Sequence, residues 1–310
     1  MDVATASSPA GVGNIGVGFD LLGHSIEGPS DRVRVRRIAE PVVRTAAVTG
    51  SVAGIDIIPH DPERNTAGRA LLRLREGLQL AYGFEVVIEK GIPIGAGLGG
   101  SAASAVASLV AANALLDAPL PREALYPFAI EGEYASSHSR QGDNVGPMLV
   151  GGVTLATLER LVPLRVPDWL HCVVVHPDQV LETRRSREVL QAPYPLADVV
   201  RHGAHLAQFV LGLERADLDL IRAGLRDVLV EPRRAPLVPG FDAVKSAALD
   251  SKALGASLSG AGPSVFAWFA SRTEAETAAP RMQGAFEQAG FATRTYVSPV
   301  RGPRAELVDG

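Results

Sequence analysis

The residue types best suited to chemistry in this chain gather around one hydroxyl, Ser101, in the run Pro93-Ile94-Gly95-Ala96-Gly97-Leu98-Gly99-Gly100-Ser101-Ala102-Ala103. Upstream, Val86 and Ile88 alternate with Glu85, Val87 and Glu89, the period of a strand, which Gly91 and Pro93 end. Downstream, to Leu116, nearly every residue is Ala, Val, Leu or Ser, predicting a helix that is apolar on all sides and therefore buried. Strand, glycine turn and helix together make an anion site. The first helical turn leaves N–H groups unpartnered, the helix dipole adds about half a positive charge, and glycine lets a phosphate come close. Ser101 is expected at the helix cap, with its hydroxyl available to a phosphate or to a phosphate-bound magnesium. A Walker A loop would need Lys where Gly100 stands. Gly95, Gly97 and Gly100 satisfy G-x-G-x-x-G. A dinucleotide fold, however, requires a second strand ending in an acidic residue, and Pro119 and Pro121 follow instead. A purely structural turn is the remaining alternative.

The elements that must position this loop are legible in outline. Between Ser8 and Gly23, five glycines flank Asn14 and Asp20, too many for a regular strand or helix, so the backbone is expected to wrap closely around something or to form a turn-rich hairpin. Arg32–Ile38 and Val42–Val48 read as strands. Residues 61–66 read as a turn that caps a helix from Ala67 to Ala81, with Asn65 suited to the N-cap. Arg122–Ser136 reads as a helix carrying Glu131 and Glu133. The polar stretch 136–139 lacks the glycine pattern of a nucleophile elbow, so it is read as a loop and not as part of a hydrolase triad. A strand over Gly151–Ala156 leads to a proline-flanked hinge at 163–167, dividing the chain into 1–163 and 164–310. In the second part His171–His176 is a strand, without metal-ligand spacing around its histidines. Glu182–Glu188 opens an arginine-rich helix, and helices follow over Leu196–Leu213, Leu218–Leu229 and Asp242–Leu254. A third glycine motif, Leu258–Ser264, joins strands at 255–258 and 265–269, before a helix over Glu274–Ala289 and a strand over Ala292–Val297. The order is α+β.

Composition narrows the partners. The chain has 310 residues, 46% apolar and 21% charged, with a net charge of −4, which supplies no basic field for nucleic acid and no polybasic membrane anchor. No apolar run reaches the ~18 residues that span a bilayer, and the N-terminus lacks a signal-peptide pattern. Cys172 is the only cysteine, so no disulfide forms within the chain, and a reducing cytoplasm is expected.

Pro93-x-x-x-Gly97-Leu98-Gly99-x-Ser101-Ala102-Ala103 resembles the phosphate loop of the superfamily that contains the galacto-, homoserine-, mevalonate- and phosphomevalonate kinases. That family usually has Ser where this chain has Gly100. The segment Asn14-x-Gly16-x-Gly18-Phe19-Asp20 is similar to the homoserine kinase branch, as are Asp143-Asn144-Val145-Gly146-Pro147, Thr183 with Arg187, and Glu231-Pro232-Arg233-Arg234. Ser259-Gly260-Ala261-Gly262-Pro263 resembles the C-terminal turn that closes over the phosphates. The resemblance implies a two-domain fold, an N-terminal α/β sandwich holding the phosphate loop and a C-terminal ferredoxin-like α+β domain.

It also implies an activity, ATP-dependent phosphorylation of the side-chain hydroxyl of L-homoserine, a step toward threonine, with ATP and Mg2+ as cofactors. Asn14 and Asp20 are then expected at the substrate, Asp20 on its ammonium, with Arg187 and Arg234 forking its carboxylate. The 93–103 loop, Asn65, Thr183, Gly260 and Gly262 are expected at the nucleotide, and Ser101 and Glu133 at the metal. Gln141 replaces a family histidine at the substrate. Where mevalonate kinases carry an aspartate base this chain has Asn144, an amide that cannot take a proton. Asn144 is expected to position the hydroxyl, with Asp143 left open as base or support and Arg234 included in the catalytic set. Two alternatives stand: a kinase of the same superfamily acting on another small alcohol, and a nucleotide-binding protein that has lost its chemistry. A homodimer stays open.

Overall fold

The computed structural model describes residues 2–309, the side chain of Ser137 excepted. In chain order the elements are β1 (Val3–Gly13), β2 (Leu22–Ile38), β3 (Val43–Gly50), α1 (Thr66–Gly77), β4 (Gly83–Lys90), α2 (Gly100–Asn113), α3 (Tyr126–Ser137), α4 (Val145–Val150), β5 (Val153–Ala156), β6 (Leu161–Pro163) and β7 (His171–Pro177). They continue as α5 (Thr183–Glu188), α6 (Leu196–Arg215), α7 (Leu218–Gly224), α8 (Glu231–Arg234), α9 (Phe241–Asp250), β8 (Gly255–Leu258), β9 (Val265–Phe269), α10 (Arg272–Gln288), β10 (Thr293–Pro299) and β11 (Glu306–Val308).

A seven-stranded sheet carries the order β11-β1-β2-β4-β3, with β5 and β6 continuing from β2. Helices α1, α2 and α3 pack together, and α2 lies along β1 and β2. As its composition demands, α2 is buried from Ala102 to Ala112. The second sheet is four-stranded, in the order β10-β7-β9-β8, with antiparallel neighbours throughout. Taken along the chain that order is fourth, first, third, second, the ferredoxin-like arrangement, and α9 and α10 pack on it. Alternation along β7 gives the second sheet two buried faces: Val173 and Val175 join the core under α9 and α10, while Cys172 and Val174 join the core shared with the first sheet. Burial pushes the Cys172 thiol up, far from thiolate reactivity.

Several expectations change. The glycines of the N-terminal motif do not prevent a regular strand: β1 runs unbroken to Gly13 and pairs with β2 around an irregularity between Pro9 and Gly11. Its glycines answer close approach. A Cβ on Gly13 would lie 2.5 Å from Asp143 Oδ2. The turn itself is confined to residues 14–21, where Asn14, Ile15 and Asp20 adopt positive φ. The segment after 163 also does not stay with the second sheet, because β11 returns to pair with β1. Helices α1, α7 and α9 end at Gly77, Gly224 and Asp250, short of their expected ends. No helix among the described residues is long and apolar enough to cross a membrane.

A buried hydrogen bond reinforces the core shared by the two sheets. Trp268 Nε1 on β9 donates to His24 Nε2 on β2 at 3.2 Å, and His24 Nδ1 donates to the Ser25 carbonyl at 2.9 Å. Desolvation lowers the His24 pKa to about 4, so its ring is neutral with the proton on Nδ1.

Candidate functional site

The phosphate loop between β4 and α2 is organised by where its carbonyls point. The Gly95 carbonyl accepts from Leu181 N (3.2 Å), and Ala96 accepts from Ser264 Oγ (2.6 Å) and Ser264 N (3.3 Å). Gly97 accepts from Ser259 Oγ (2.7 Å), Leu98 from Gly11 N (3.0 Å), and Gly99 from Ala103 N (2.9 Å). Gly100 accepts from Lys90 Nζ (2.7 Å). Every carbonyl from Gly95 to Gly100 is therefore engaged by β1, β4, α2, the segment before α5 or the third glycine motif. In the first turn of α2 the amides of Gly100, Ser101 and Ala102 have no carbonyl within the helix to donate to. Backbone groups seek partners, so this sorting leaves a concave set of N–H donors at the N-terminus of α2, the geometry that receives a phosphate.

Helix α2 begins at Gly100, and its N-cap is Gly99 in the left-handed region, φ 69°. Ser101 is thus not the cap. It lies in the first turn, and its Oγ donates to Glu133 Oε1 at 2.9 Å. Ser136 Oγ lies 3.3 Å from the same oxygen. Desolvation pushes the Glu133 carboxyl up to about 7. A hydroxyl and a carboxylate whose ionised form lacks solvent are a fitting hard-oxygen pair for Mg2+. Among the described residues no cluster of three or more His, Cys, Asp and Glu could hold a metal alone. An ion at Ser101 and Glu133 would therefore complete its coordination with other oxygens, such as those of a nucleotide. A Cβ on Gly100 would meet Ile92 Cγ2 at 3.2 Å and Lys90 Nζ at 3.4 Å, so glycine fits where the family usually has serine.

A cavity of about 720 Å³ opens above the loop and brings the expected residues together. Asn14, Asp20, Asn65, Pro93 through Ser101, Glu133, Gln141, Asp143, Asn144, Thr183, Arg187, Arg234, Gly260 and Gly262 all line it. Ala102 and Ala103 do not. Their side chains are wholly buried in the core. Asn65 is the N-cap of α1, its Oδ1 accepting from Ala67 N at 3.0 Å and Gly68 N at 3.2 Å, while it also faces the cavity.

At the other end of the cavity, Asn14 is held at both ends of its amide. Its Nδ2 donates to the Gly260 carbonyl (2.7 Å) and its Oδ1 accepts from Asp20 N (3.0 Å). Arg234 is 2% exposed; its Nε donates to the Ser186 carbonyl (3.0 Å) and its Nη1 to Gly260 (3.1 Å). Desolvation and then the neighbouring Arg187 lower its pKa to about 10. Asp20 and Arg187, expected at opposite ends of an amino acid, are paired with each other: Arg187 Nη2 lies 2.8 Å from Asp20 Oδ1 and 2.9 Å from Oδ2.

Between these ends lie Asp143 and Asn144. Asp143 is buried, and its Oδ2 accepts from Asn14 N at 3.1 Å. Desolvation, then the charges of Asp20 and Glu133, push its carboxyl up to about 7. Asn144 Nδ2 points to Asp143 Oδ1 at 3.5 Å, and its buried Oδ1 has no protein partner. A Cβ on Gly99 would lie 2.7 Å from that oxygen, so the amide sits directly against the phosphate loop. Gln141 Nε2 is likewise buried without a protein partner.

The sequence analysis missed the support beneath the loop. Lys90, at the end of β4, forms a buried ion pair with Asp31 and bonds Ser104 Oγ at 3.0 Å. Asp31 in turn accepts from Ser104 Oγ (2.7 Å), Gly91 N (3.0 Å) and Ile92 N (3.1 Å). Lys90 ends an alternating strand, and Asp31 is far off in sequence, so neither carries a motif. His176, expected only as a strand-end residue, also supports the loop: its Nδ1 lies 3.2 Å from Ser264 Oγ and so donates to it, because that hydroxyl spends its hydrogen on Ala96.

Comparisons with known proteins agree with this geometry. Residues 65–152 match the family model described as GHMP kinases N terminal domain, and residues 209–288 match GHMP kinases C terminal. The chain is 55% identical over 305 residues to a homoserine kinase of Xylella fastidiosa (strain M12), covering 98% of this chain and 94% of that protein. It is 54% identical, with the same coverage, to a homoserine kinase of Xanthomonas campestris pv. campestris (strain B100). The crystal structure of homoserine kinase from Cytophaga hutchinsonii ATCC 33406 superposes with a TM-score of 0.93 at 37% identity, covering 99% of this chain and 98% of that one.

Proposed function

The chain belongs to the homoserine kinases of the GHMP kinase family, and from that premise we propose that it catalyses ATP + L-homoserine → ADP + O-phospho-L-homoserine. The observation that carries this reading is the single cavity with a donor-lined phosphate loop at one end, the Asp20–Arg187–Arg234 cluster at the other, and Asn144 between them. ATP would supply the transferred phosphoryl group, and Mg2+ held by Ser101 and Glu133 would supply neutralisation of phosphate charge.

The residues divide the work by chemistry. The amides of Gly95 to Ala102 receive phosphate oxygens, and Ser101 with Glu133 holds the magnesium. Asn65 and Thr183 line the nucleotide side of the cavity, and Gly260 and Gly262 close it. Asp20 takes the substrate ammonium, and Arg187 and Arg234 fork the carboxylate, so the Asp20–Arg187 pair is exchanged for two pairs with substrate. A short amino acid gripped at both charged ends leaves its hydroxyl as the group that reaches the loop. Asn144 accepts a hydrogen bond from that hydroxyl at Oδ1, because its Nδ2 is turned to Asp143, and the hydroxyl proton passes to an oxygen of the transferred phosphoryl group. Gln141 offers its amide to the same end. Asp143 has Asn14 N on one oxygen and Asn144 Nδ2 at 3.5 Å from the other, so it supports both amides. Positioning and charge stabilisation then carry the step, as a loose phosphoryl-transfer transition state allows.

The test is ADP release from ATP and Mg2+ with L-homoserine, beside L-serine, L-threonine and mevalonate, in the wild type and in Arg234→Leu. Saturable turnover with homoserine that the variant loses supports the reading. Saturation by a different alcohol only, or ATP binding without turnover, overturns it.

A further inference from the structure

Two guanidiniums that share a cavity repel each other. Arg187 and Arg234 do so here, the charge of Arg187 being, after desolvation, a cause of the lowered Arg234 pKa. A fork for one carboxylate nevertheless requires both to stay close and fixed. Asp20 neutralises Arg187, but on the proposed reading it must turn to the substrate ammonium. Some other group has to hold the two cations when it does.

That group is Phe19. The ring of Phe19 is within cation–π reach of both, its centroid 5.4 Å from Arg187 Cζ and 5.1 Å from Arg234 Cζ. It is half-buried, and unlike Asp20, Arg187 and Arg234 it does not line the cavity. The turn that carries it is rigid. Gly18 N donates to the Asn14 carbonyl at 2.8 Å, and Asp20, in the left-handed region at φ 59°, hangs by its amide from Asn14 Oδ1. The face of an aromatic ring is negative and attracts a cation within about 6 Å. One ring within reach of two guanidiniums therefore attracts both and ties the position of each to the same fixed turn. We propose that Phe19 is a positioning residue that holds Arg187 and Arg234 at the spacing needed to fork one carboxylate, and so sets the preference for an amino-acid substrate. The inference rests on the carboxylate fork of the proposed function.

It has a clear chemical signature, because the effect lies in the π face and not in the volume of the side chain. Phe19→Leu is expected to raise KM for homoserine about 5- to 30-fold, the range that losing contacts of this kind predicts. In that variant kcat stays within about threefold of wild type, and KM for ATP is unchanged. Phe19→Tyr keeps the face and is expected to stay within about twofold of wild type in all three. A ring-fluorinated phenylalanine at position 19 keeps the shape, withdraws the π density and is expected to move KM for homoserine toward the leucine value. This last variant decides the matter even if leucine impairs folding. Equal KM values across phenylalanine and its fluorinated form overturn the proposal, as does a tyrosine variant as weak as leucine. Absence of homoserine turnover in wild type overturns the carboxylate reading itself, and the proposal with it.

Discussion

Replacing Lys90 by methionine isolates what the buried pair contributes, because methionine fills most of the same space without the charge. Asp31 is fully buried, and the substitution leaves its carboxylate without a counter-ion. Hydrogen bonds from Gly91 N, Ile92 N and Ser104 Oγ remain. Removing one partner of a buried pair costs about 3–5 kcal/mol, which for a protein of this size lowers Tm by roughly 6–20 °C. Adding Asp31→Asn removes the stranded charge, so the double variant should recover at least half of that loss. The Gly100 carbonyl loses the bond from Lys90 Nζ in both variants and keeps only the longer one from Ser104 Oγ, at 3.3 Å, among its side-chain donors. The phosphate loop should therefore be less ordered in both, and KM for ATP should rise in the double variant even as its stability returns. Calorimetry and steady-state kinetics on the three proteins separate the two effects. A Lys90→Met variant melting within about 2 °C of wild type would falsify this account, as would a double variant no more stable than the single one.

Other predictions follow from the same geometry. Ser264→Ala removes a donor from the Ala96 carbonyl and an acceptor from His176 Nδ1; kinetics should show KM for ATP raised about three- to tenfold with KM for homoserine unmoved, from a loss of about 1 kcal/mol per unmet buried group. Glu133→Gln removes a carboxylate from the magnesium pair, so the Mg2+ concentration giving half-maximal rate should rise at least about tenfold; an unchanged Mg2+ dependence refutes the assignment. Asp143→Asn should leave kcat within about tenfold of wild type, whereas a drop of 10²- to 10⁴-fold would make Asp143 the general base. His24 is held neutral, its pKa lowered from 6.5 to about 4, so the unfolded chain takes up a proton first as pH falls. The stability this group contributes is present above pH 6.5 and is lost as pH drops toward about 4, up to roughly 3 kcal/mol, and His24→Gln should flatten that part of the pH–stability curve measured by denaturant titration.

The local design of this protein is readable along the chain because it depends on neighbours in sequence. The alternation of Val86 and Ile88, the glycines before Ser101 and the alanine-rich run after it place strand, loop and buried helix within a few residues of their observed bounds. The same holds for Asn65 as a cap and for the strands on either side of the third glycine motif. What the sequence left undecided lies in contacts between residues that belong to different elements, many of them far apart in the chain. Glycines that read as turn formers in β1 are there because Asp143 and His24 pass within a Cβ's reach of them. The six carbonyls of the phosphate loop are turned by donors scattered from Gly11 to Ser264, and no spacing rule links those donors. Lys90 and Asp31 look like surface charges in their own segments and become a buried pair only when β2 and β4 meet beneath α2. Chain periodicity records which face of an element is buried, but which buried polar groups satisfy one another is settled only by packing, since each must find its partner wherever the fold brings one.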